Sequence, residues 1–202
     1  MPVQPWFASD DPETESELDG AERAFVAVLR ERAGAWALAP AVSWVARPED
    51  DSSLVVCAGV GDGPLGWPLR VGLHLSGATV RGDRFAHQNF YWLTQPPTGL
   101  ALNATGSPEA LAVASAAWFE RVLRMPVVRH EWYHEGRLYA YRCLFAGDGD
   151  GDGWCDGYRD ALAPPGQRER LVAAGALDAG YWVRSGALGR PDRVVVLRGT
   201  PG

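Results

Sequence analysis

Residues 127–145 read VVRHEWYHEGRLYAYRCLF, and this stretch decides the fold class. Two runs rich in β-branched and aromatic residues, 127–134 and 137–145, flank Glu135 and Gly136. Such runs around a two-residue turn that contains glycine predict a β-hairpin. A hairpin also predicts that the strands next to it join it in an antiparallel sheet.

The hairpin predicts a candidate binding surface, because residues equally distant from the turn pair across the two strands and share a face. The predicted pairs are His134 with Arg137, Trp132 with Tyr139, His130 with Tyr141, and Val128 with Cys143. One face would then carry His130, Trp132, His134, Tyr139 and Tyr141. Two interpretations stay open: this aromatic face packs beneath the helix predicted at 107–124, or it is an exposed platform for a ligand or partner.

The remaining periodicities predict helices and further short strands. The predicted helices are 21–33, 107–124 and 167–174. The predicted strands are 42–46, 54–59, 69–75, 78–81, 87–94, 181–184 and 193–198. This order predicts an α+β fold, a mainly antiparallel sheet with two to three packed helices. Nine tryptophans spread over nearly every element predict a tryptophan-rich core.

The charge distribution predicts a tail and a body. The formal charge is −6, and the first 20 residues contain six acidic residues and no basic one. Residues 1–20 lack apolar periodicity and are expected to form a disordered acidic tail. Residues 21–202 are expected to form a single α+β domain, which carries equal numbers of acidic residues and arginines. A neutral body predicts no nucleic-acid partner.

Several residue types are missing, and their absence excludes whole classes of chemistry. All 19 basic residues are arginine, which excludes the phosphate-loop lysine, the kinase lysine and Schiff-base catalysis. No apolar run approaches the roughly 20 residues of a membrane span, and no secretion signal is visible, so no membrane partner is expected. Three widely spaced cysteines, Cys57, Cys143 and Cys155, favour a cytoplasmic location.

Residues 130–134 read HEWYH, which resembles the HExxH zinc motif of zincin metalloproteases. That resemblance implies zinc held by His130 and His134, with Glu131 activating a water molecule. The mechanism requires a helix, on which residues four apart share a face. On the predicted strand, four residues span about 13 Å, too far for two histidines to bind one metal.

Residues 148–156 read DGDGDGWCD, which resembles the calcium loops of EF-hands, dockerins and integrin-type propellers. The resemblance implies oxygen ligands from Asp148, Asp150, Asp152 and Asp156. The twelfth position of the loop, a bidentate glutamate in EF-hands, is Arg159 here. The loop is therefore expected to bind calcium weakly, or to be an incidental acidic loop, and no other cofactor is expected.

These observations together favour a non-enzymatic binding protein of the immunity or adaptor type, which uses the aromatic hairpin face. The expected partner is a protein or a small molecule. Two alternatives stay open: a metal-dependent hydrolase, and a small-molecule enzyme with a pocket of His, Tyr, Arg and Asp side chains.

Overall fold

The computed structural model describes residues 5–9, 11–38, 42–48, 52–60, 69–85, 91–147, 153–178 and 182–200. Within these ranges, four α-helices and ten strands form two mostly antiparallel sheets, which confirms the predicted α+β class. The chain divides into two compact units, Met1–Arg124 and Met125–Gly202, and each unit contains one of the sheets. This division differs from the single domain expected over residues 21–202.

The bounds of the elements agree within three residues with most of the predicted ones. The first unit contains β1 (Ala8–Ser9), α1 (Pro12–Glu17), α2 (Gly20–Gly34), β2 (Ser43–Ala46), β3 (Leu54–Val60), β4 (Leu69–Ser76), β5 (Thr79–Arg84), β6 (Leu102–Thr105) and α3 (Pro108–Leu123). The second contains β7 (Val127–His134), β8 (Arg137–Phe145), β9 (Gly157–Tyr158), α4 (Gln167–Ala173) and β10 (Arg193–Arg198), with 3-10 turns at Asp160–Leu162 and Ser185–Leu188. No described helix is long and apolar enough to cross a membrane.

Two of the predicted strands lie partly outside the described residues. In the predicted strand 87–94, residues 87–90 are outside the described ranges, and Leu93 makes an isolated bridge with Phe85. In the predicted strand 181–184, residue 181 is outside them. Val183 and Arg184 form isolated bridges rather than a strand.

The first unit is built around a six-stranded sheet in the order β1-β2-β3-β4-β5-β6. Among the described strand pairs of this sheet, β1–β2 is parallel and the others are antiparallel. Every residue of β3 is buried, which explains its continuous apolar sequence, whereas β4 alternates between buried and partly exposed positions at its ends. Asp19 and Glu22 form a capping box at the start of α2, and Ser107 caps α3.

The acidic N-terminal segment is partly ordered, which differs from the disordered tail expected over residues 1–20. Phe7 is completely buried, and its ring lies 4.9 Å from that of Phe119. Arg30 donates two hydrogen bonds to the Phe7 carbonyl oxygen, and Asp11 caps the short helix α1. One buried aromatic residue therefore fixes a segment that its composition alone assigns to solvent.

The second unit contains a four-stranded antiparallel sheet in the order β10-β7-β8-β9. The hairpin β7–β8 is at its centre. Glu135 and Gly136 both have positive φ, as a two-residue hairpin turn requires. One side of the hairpin packs on α4 and the following segment, in a core formed by Trp132, Tyr139, Ala140, Cys155, Leu171, Ala176 and Val183.

Candidate functional site

The pairing of the central hairpin differs from the predicted pairing beyond its first two pairs. His134 pairs with Arg137, as predicted, and Tyr133 pairs with Leu138. A bulge follows, so that Trp132 pairs with Ala140 and not with Tyr139. Further along the strands, His130 pairs with Arg142 and not with Tyr141, and Val128 pairs with Leu144 and not with Cys143. Tyr139 is the extra residue of the bulge, and bulges redirect the side chains around them.

Two of the predicted surface residues lie in the core. Trp132 is 3% exposed and Tyr139 is 6% exposed, and both belong to the buried cluster of the second unit. The Trp132 indole N–H donates to the Gly189 carbonyl oxygen at 3.1 Å. Burial raises the pKa of Tyr139, and the negative charge of Asp192 raises it further. These two side chains are therefore packed in a core, and the helix that contributes to this core is α4, through Leu171, rather than the predicted helix 107–124.

The other three predicted surface residues do not share one face. His130 lies on the Trp132 side of β7, and the centroids of the two rings are 6.3 Å apart. His134 is half-buried at the turn end of the hairpin. Tyr141 pairs with Glu131 and therefore lies on the opposite face of the sheet. The structure does not assemble the predicted five-residue platform.

The opposite face of the sheet carries a polar cluster that we call the outer face: Arg129, Glu131, Tyr133, Tyr141 and Arg193. Its centre is the Glu131 side chain, which is 1% exposed. Arg129 Nε donates to Glu131 Oε1 at 2.7 Å, and the Tyr133 hydroxyl donates to Oε2 at 2.8 Å. Arg193 Nε lies 4.0 Å from Oε2. A buried carboxylate requires such partners, because removal from water is costly for an unpaired charge.

Tyr141 extends the outer face toward β9. The Arg129 guanidinium lies 5.9 Å from the centroid of the Tyr141 ring, within the range of a cation–π contact. The ring also covers Gly157, where an added Cβ would approach Tyr141 Cε1 to 2.2 Å. Burial raises the pKa of Tyr141, and Asp156 raises it further. Tyr133 and Tyr141 both stay partly exposed, so the outer face presents arginine and tyrosine side chains to solvent.

The edge strand β10 borders the outer face. Its pairing with β7 places Arg193 and Val195 on the outer face and Val194 and Val196 on the His130 side. Val194 is 53% exposed and Val196 is 49% exposed. A bulge between Val196 and Arg198 ends the regular part of the strand. The sequence predicts this strand but does not indicate that it is an exposed edge.

The zinc interpretation of HEWYH is wrong for geometric reasons. The whole string lies on the extended strand β7, so His130 and His134 are separated by four residues of strand. At about 3.3 Å per residue they cannot bind one metal together. Glu131, the residue that would activate the water, instead pairs with Arg129.

The predicted calcium loop falls mostly on residues that the structure leaves undescribed. Asp148, Asp150 and Asp152 lie outside the described residues. Asp156 Oδ2 accepts a hydrogen bond from the Cys143 backbone N–H at 2.5 Å. Burial raises the pKa of the Cys143 thiol, and the Asp156 charge raises it further. In the described part of the chain, no group of three His, Cys, Asp or Glu residues could hold a metal ion. Weak calcium binding stays a prediction.

Ser53 and His74 form a pair that the sequence does not indicate. Ser53 Oγ lies 2.7 Å from His74 Nδ1, and His74 Nε2 lies 2.7 Å from the Tyr91 carbonyl oxygen. The carbonyl accepts, so Nε2 carries the proton and Nδ1 accepts from the serine hydroxyl. Ser53 is buried. The two residues are 21 positions apart and meet because β3 and β4 pair, so only the topology could have revealed them.

Comparisons with protein-family models, with curated proteins and with solved structures find no match to this chain. The candidate site therefore rests on its own geometry and chemistry.

Proposed function

We propose that the protein is a non-enzymatic binding protein of the immunity or adaptor type, and that the β7–β8 hairpin presents its binding surface. The proposal changes the surface expected from the sequence. Of the predicted residues, Tyr141 stays in it, and Arg129, Tyr133 and Arg193 join it. Trp132 and Tyr139 support the surface from the core.

One observation carries this proposal: a buried carboxylate holds two partly exposed recognition groups, Arg129 and Tyr133, in place. Glu131 binds Arg129 and the Tyr133 hydroxyl, so both side chains have fixed positions before any partner arrives. Tyrosine and arginine are enriched among the residues that dominate protein interfaces. Side chains that are already ordered lose less conformational entropy on binding. A fixed arginine–tyrosine face is therefore well suited to a protein partner.

The character of the surface favours a protein over nucleic acid or a membrane. Residues 125–202 contain ten arginines and ten acidic residues, so this unit has no net basic charge with which to attract phosphates. The three cysteines are buried and form no disulfide, which supports a cytoplasmic location where thiols stay reduced.

Site-specific photocrosslinking tests the proposal. Benzoylphenylalanine at position 133 keeps an aromatic ring on the outer face, and Glu131 keeps its bond with Arg129. The control places the same group at Val113, an exposed residue of α3. Irradiation in cells of the source organism should give a discrete protein adduct from position 133 and none from position 113. Equal adducts from both positions, or none from either, would contradict the proposal.

The Ser53–His74 pair supports a second candidate function, a small-molecule hydrolase with Ser53 as nucleophile and His74 as base. The 2.7 Å separation is within the range of nucleophile–base pairs. A fluorophosphonate probe that labels wild type but not Ser53→Ala would support this function. Absence of labelling would leave the hydrogen bond as a structural link between β3 and β4.

A further inference from the structure

The edge strand β10 has the features of a docking site for another strand. It is the outermost strand of its sheet, and in the described part of the chain β7 is the strand that pairs with it. Its second edge therefore offers backbone N–H and C=O groups to a further strand. Natural edge strands usually carry charged residues or proline in their middle. The middle of β10 is instead Val194, Val195 and Val196.

The geometry limits such pairing to residues 193–196. The bulge between Val196 and Arg198 disturbs the alternation of side chains, and Gly199 has a φ of +71°, which ends the extended backbone. Over the regular part, Val194 and Val196 lie on one face, and Arg193 and Val195 lie on the outer face. An added strand would meet apolar side chains on one face and an arginine on the other.

The charge around β10 determines which strand fits. Residues 190–198 contain three arginines and one aspartate. Asp192 Oδ2 already accepts a hydrogen bond from the Tyr133 backbone N–H at 2.7 Å. Arg190 and Arg193 are exposed. Arg193 Nε lies 4.0 Å from Glu131 Oε2, and Arg129 also binds Glu131, so one carboxylate faces two arginines. The edge is therefore locally cationic, although the unit as a whole is neutral.

This charge argues against a second copy of the chain as the partner. Antiparallel self-pairing through β10 would bring two cationic edges together, and like charges across a strand pair are destabilising. An acidic strand gains from the same charges. Aliphatic side chains on its other face would cover Val194 and Val196.

We propose that β10 binds an extended segment of a partner protein in which acidic and β-branched residues alternate, by adding it as a fifth strand. The acidic side chains lie on the outer face, opposite Arg193 and Val195. The β-branched side chains lie opposite Val194 and Val196. Backbone hydrogen bonds give the affinity, and the alternating side chains give the specificity. This proposal rests on the proposed binding function and names its partner class.

A designed peptide provides the test with the full chain. The probe is fluorescein-labelled Ser-Val-Glu-Val-Glu-Val-Ser, whose sequence reads the same in both directions and so fits either strand orientation. The controls are the peptide with lysine in place of glutamate and a peptide of the same composition without alternation. Fluorescence anisotropy should give an affinity for the glutamate peptide at least tenfold higher than for either control, and this difference should shrink at high salt.

Two matched variants locate the binding. Val194→Lys places a charge on the edge and should weaken binding about tenfold. Val172→Lys makes the same change at a valine of α4 that is 57% exposed, against 53% for Val194, and should leave binding unchanged. Arg193→Gln should reduce the preference for glutamate over lysine. Circular dichroism of each variant checks that the fold is retained.

Three results would overturn the proposal. The first is no binding of the glutamate peptide at millimolar concentration, and the second is equal binding of the glutamate and lysine peptides. The third is a concentration-dependent dimer that Val194→Lys abolishes, which would make a second copy the partner of the edge. Photocrosslinking at position 133 separates the two proposals. If position 133 gives protein adducts but the peptide does not bind, the binding function stands and only the proposal for β10 is overturned.

Discussion

At the scale of single residues, the most consequential side chain is Glu131. A glutamate in a strand is typical of a solvent-exposed face, yet this one is almost completely buried and holds Arg129 and Tyr133. The sequence indicates that Glu131 lies near arginines. It does not indicate the burial, because β10, the strand that pairs with β7 beside Glu131, comes more than 60 residues later in the sequence.

Removal of the Glu131 carboxylate should destabilise the second unit. Glu131→Ala leaves the Arg129 guanidinium without its partner, and breaking a buried pair typically costs about 3–5 kcal/mol. Arg129 is 22% exposed and can partly rehydrate, so a loss of about 3 kcal/mol is expected. Urea denaturation measures this loss. As a control, Arg124→Ala breaks the exposed ion pair with Glu120 and should cost less than about 1 kcal/mol.

Four ionisable side chains of the second unit have raised pKa values, which predicts a loss of folding stability at alkaline pH. Burial raises the pKa of Cys143, Tyr139, Tyr141 and Tyr158 above their ordinary values of 9.0 for cysteine and 10.0 for tyrosine. The folded state therefore holds protons that the unfolded state releases. Stability should be constant with respect to these groups below about pH 9 and should fall as the pH rises through 9 and 10.

Thermal melts between pH 7 and pH 11 measure this alkaline loss. Tyr139→Phe removes one of the four ionisable groups and should make the fall in Tm above pH 9 shallower. An identical slope in the variant and the wild type would show that Tyr139 ionises equally in both states, which its burial does not allow.

At the scale of elements, the hairpin separates what local sequence determines from what packing determines. The turn follows from Glu135-Gly136, and both strands follow from their residue types. The bulge at Tyr139 does not, because its benefit comes from burying Tyr139 and Ala140 together against Trp132 and the residues around α4. One extra residue in β8 is enough to redistribute the predicted aromatic face between two sides of the sheet.

The contact between β8 and β9 predicts that position 157 requires glycine. In Gly157→Ala the new Cβ would lie 2.2 Å from Tyr141 Cε1, so the ring or the backbone must move, at a cost of about 1–3 kcal/mol. Gly34→Ala is the matched control, because nothing lies within 4 Å of a Cβ at this helical position. The control should be neutral or slightly stabilising in thermal denaturation. Equal effects of the two substitutions would contradict the packing of Tyr141.

At the scale of the whole molecule, the sequence pattern predicts the fold class but not the division into units. The α+β class follows from the alternation of helical and strand periodicities. The two units do not, because Met125 and Pro126 end a helix without any change in composition. The net charge nevertheless differs between the two units: residues 1–124 carry the whole formal charge of −6, and residues 125–202 have a net charge of zero.

The buried cluster around Trp132 predicts a localised response to a core substitution. Trp132→Ala should cost about 3–5 kcal/mol, as loss of a buried aromatic side chain typically does. All residues of the cluster around Trp132 belong to Met125–Gly202. Hydrogen exchange should therefore rise across β7, β8 and α4 and stay unchanged in β3 and β4. A uniform rise along the chain would contradict the division into two compact units.

The pairing of β7 with β8 decides whether the outer face exists, and one disulfide experiment tests it. Val128→Cys combined with Leu144→Cys places two thiols directly opposite each other, at the 4.5–5.5 Å Cα separation of antiparallel pairs, which a disulfide can span. Mild oxidation and peptide mass spectrometry should find a 128–144 disulfide in the double variant. In Val128→Cys alone, position 128 should stay reduced, because Cys143 lies on the other face. A 128–143 disulfide in the single variant would mean that the hairpin pairs without the bulge, with Tyr141 opposite His130, and would contradict the position of Tyr141 on the outer face.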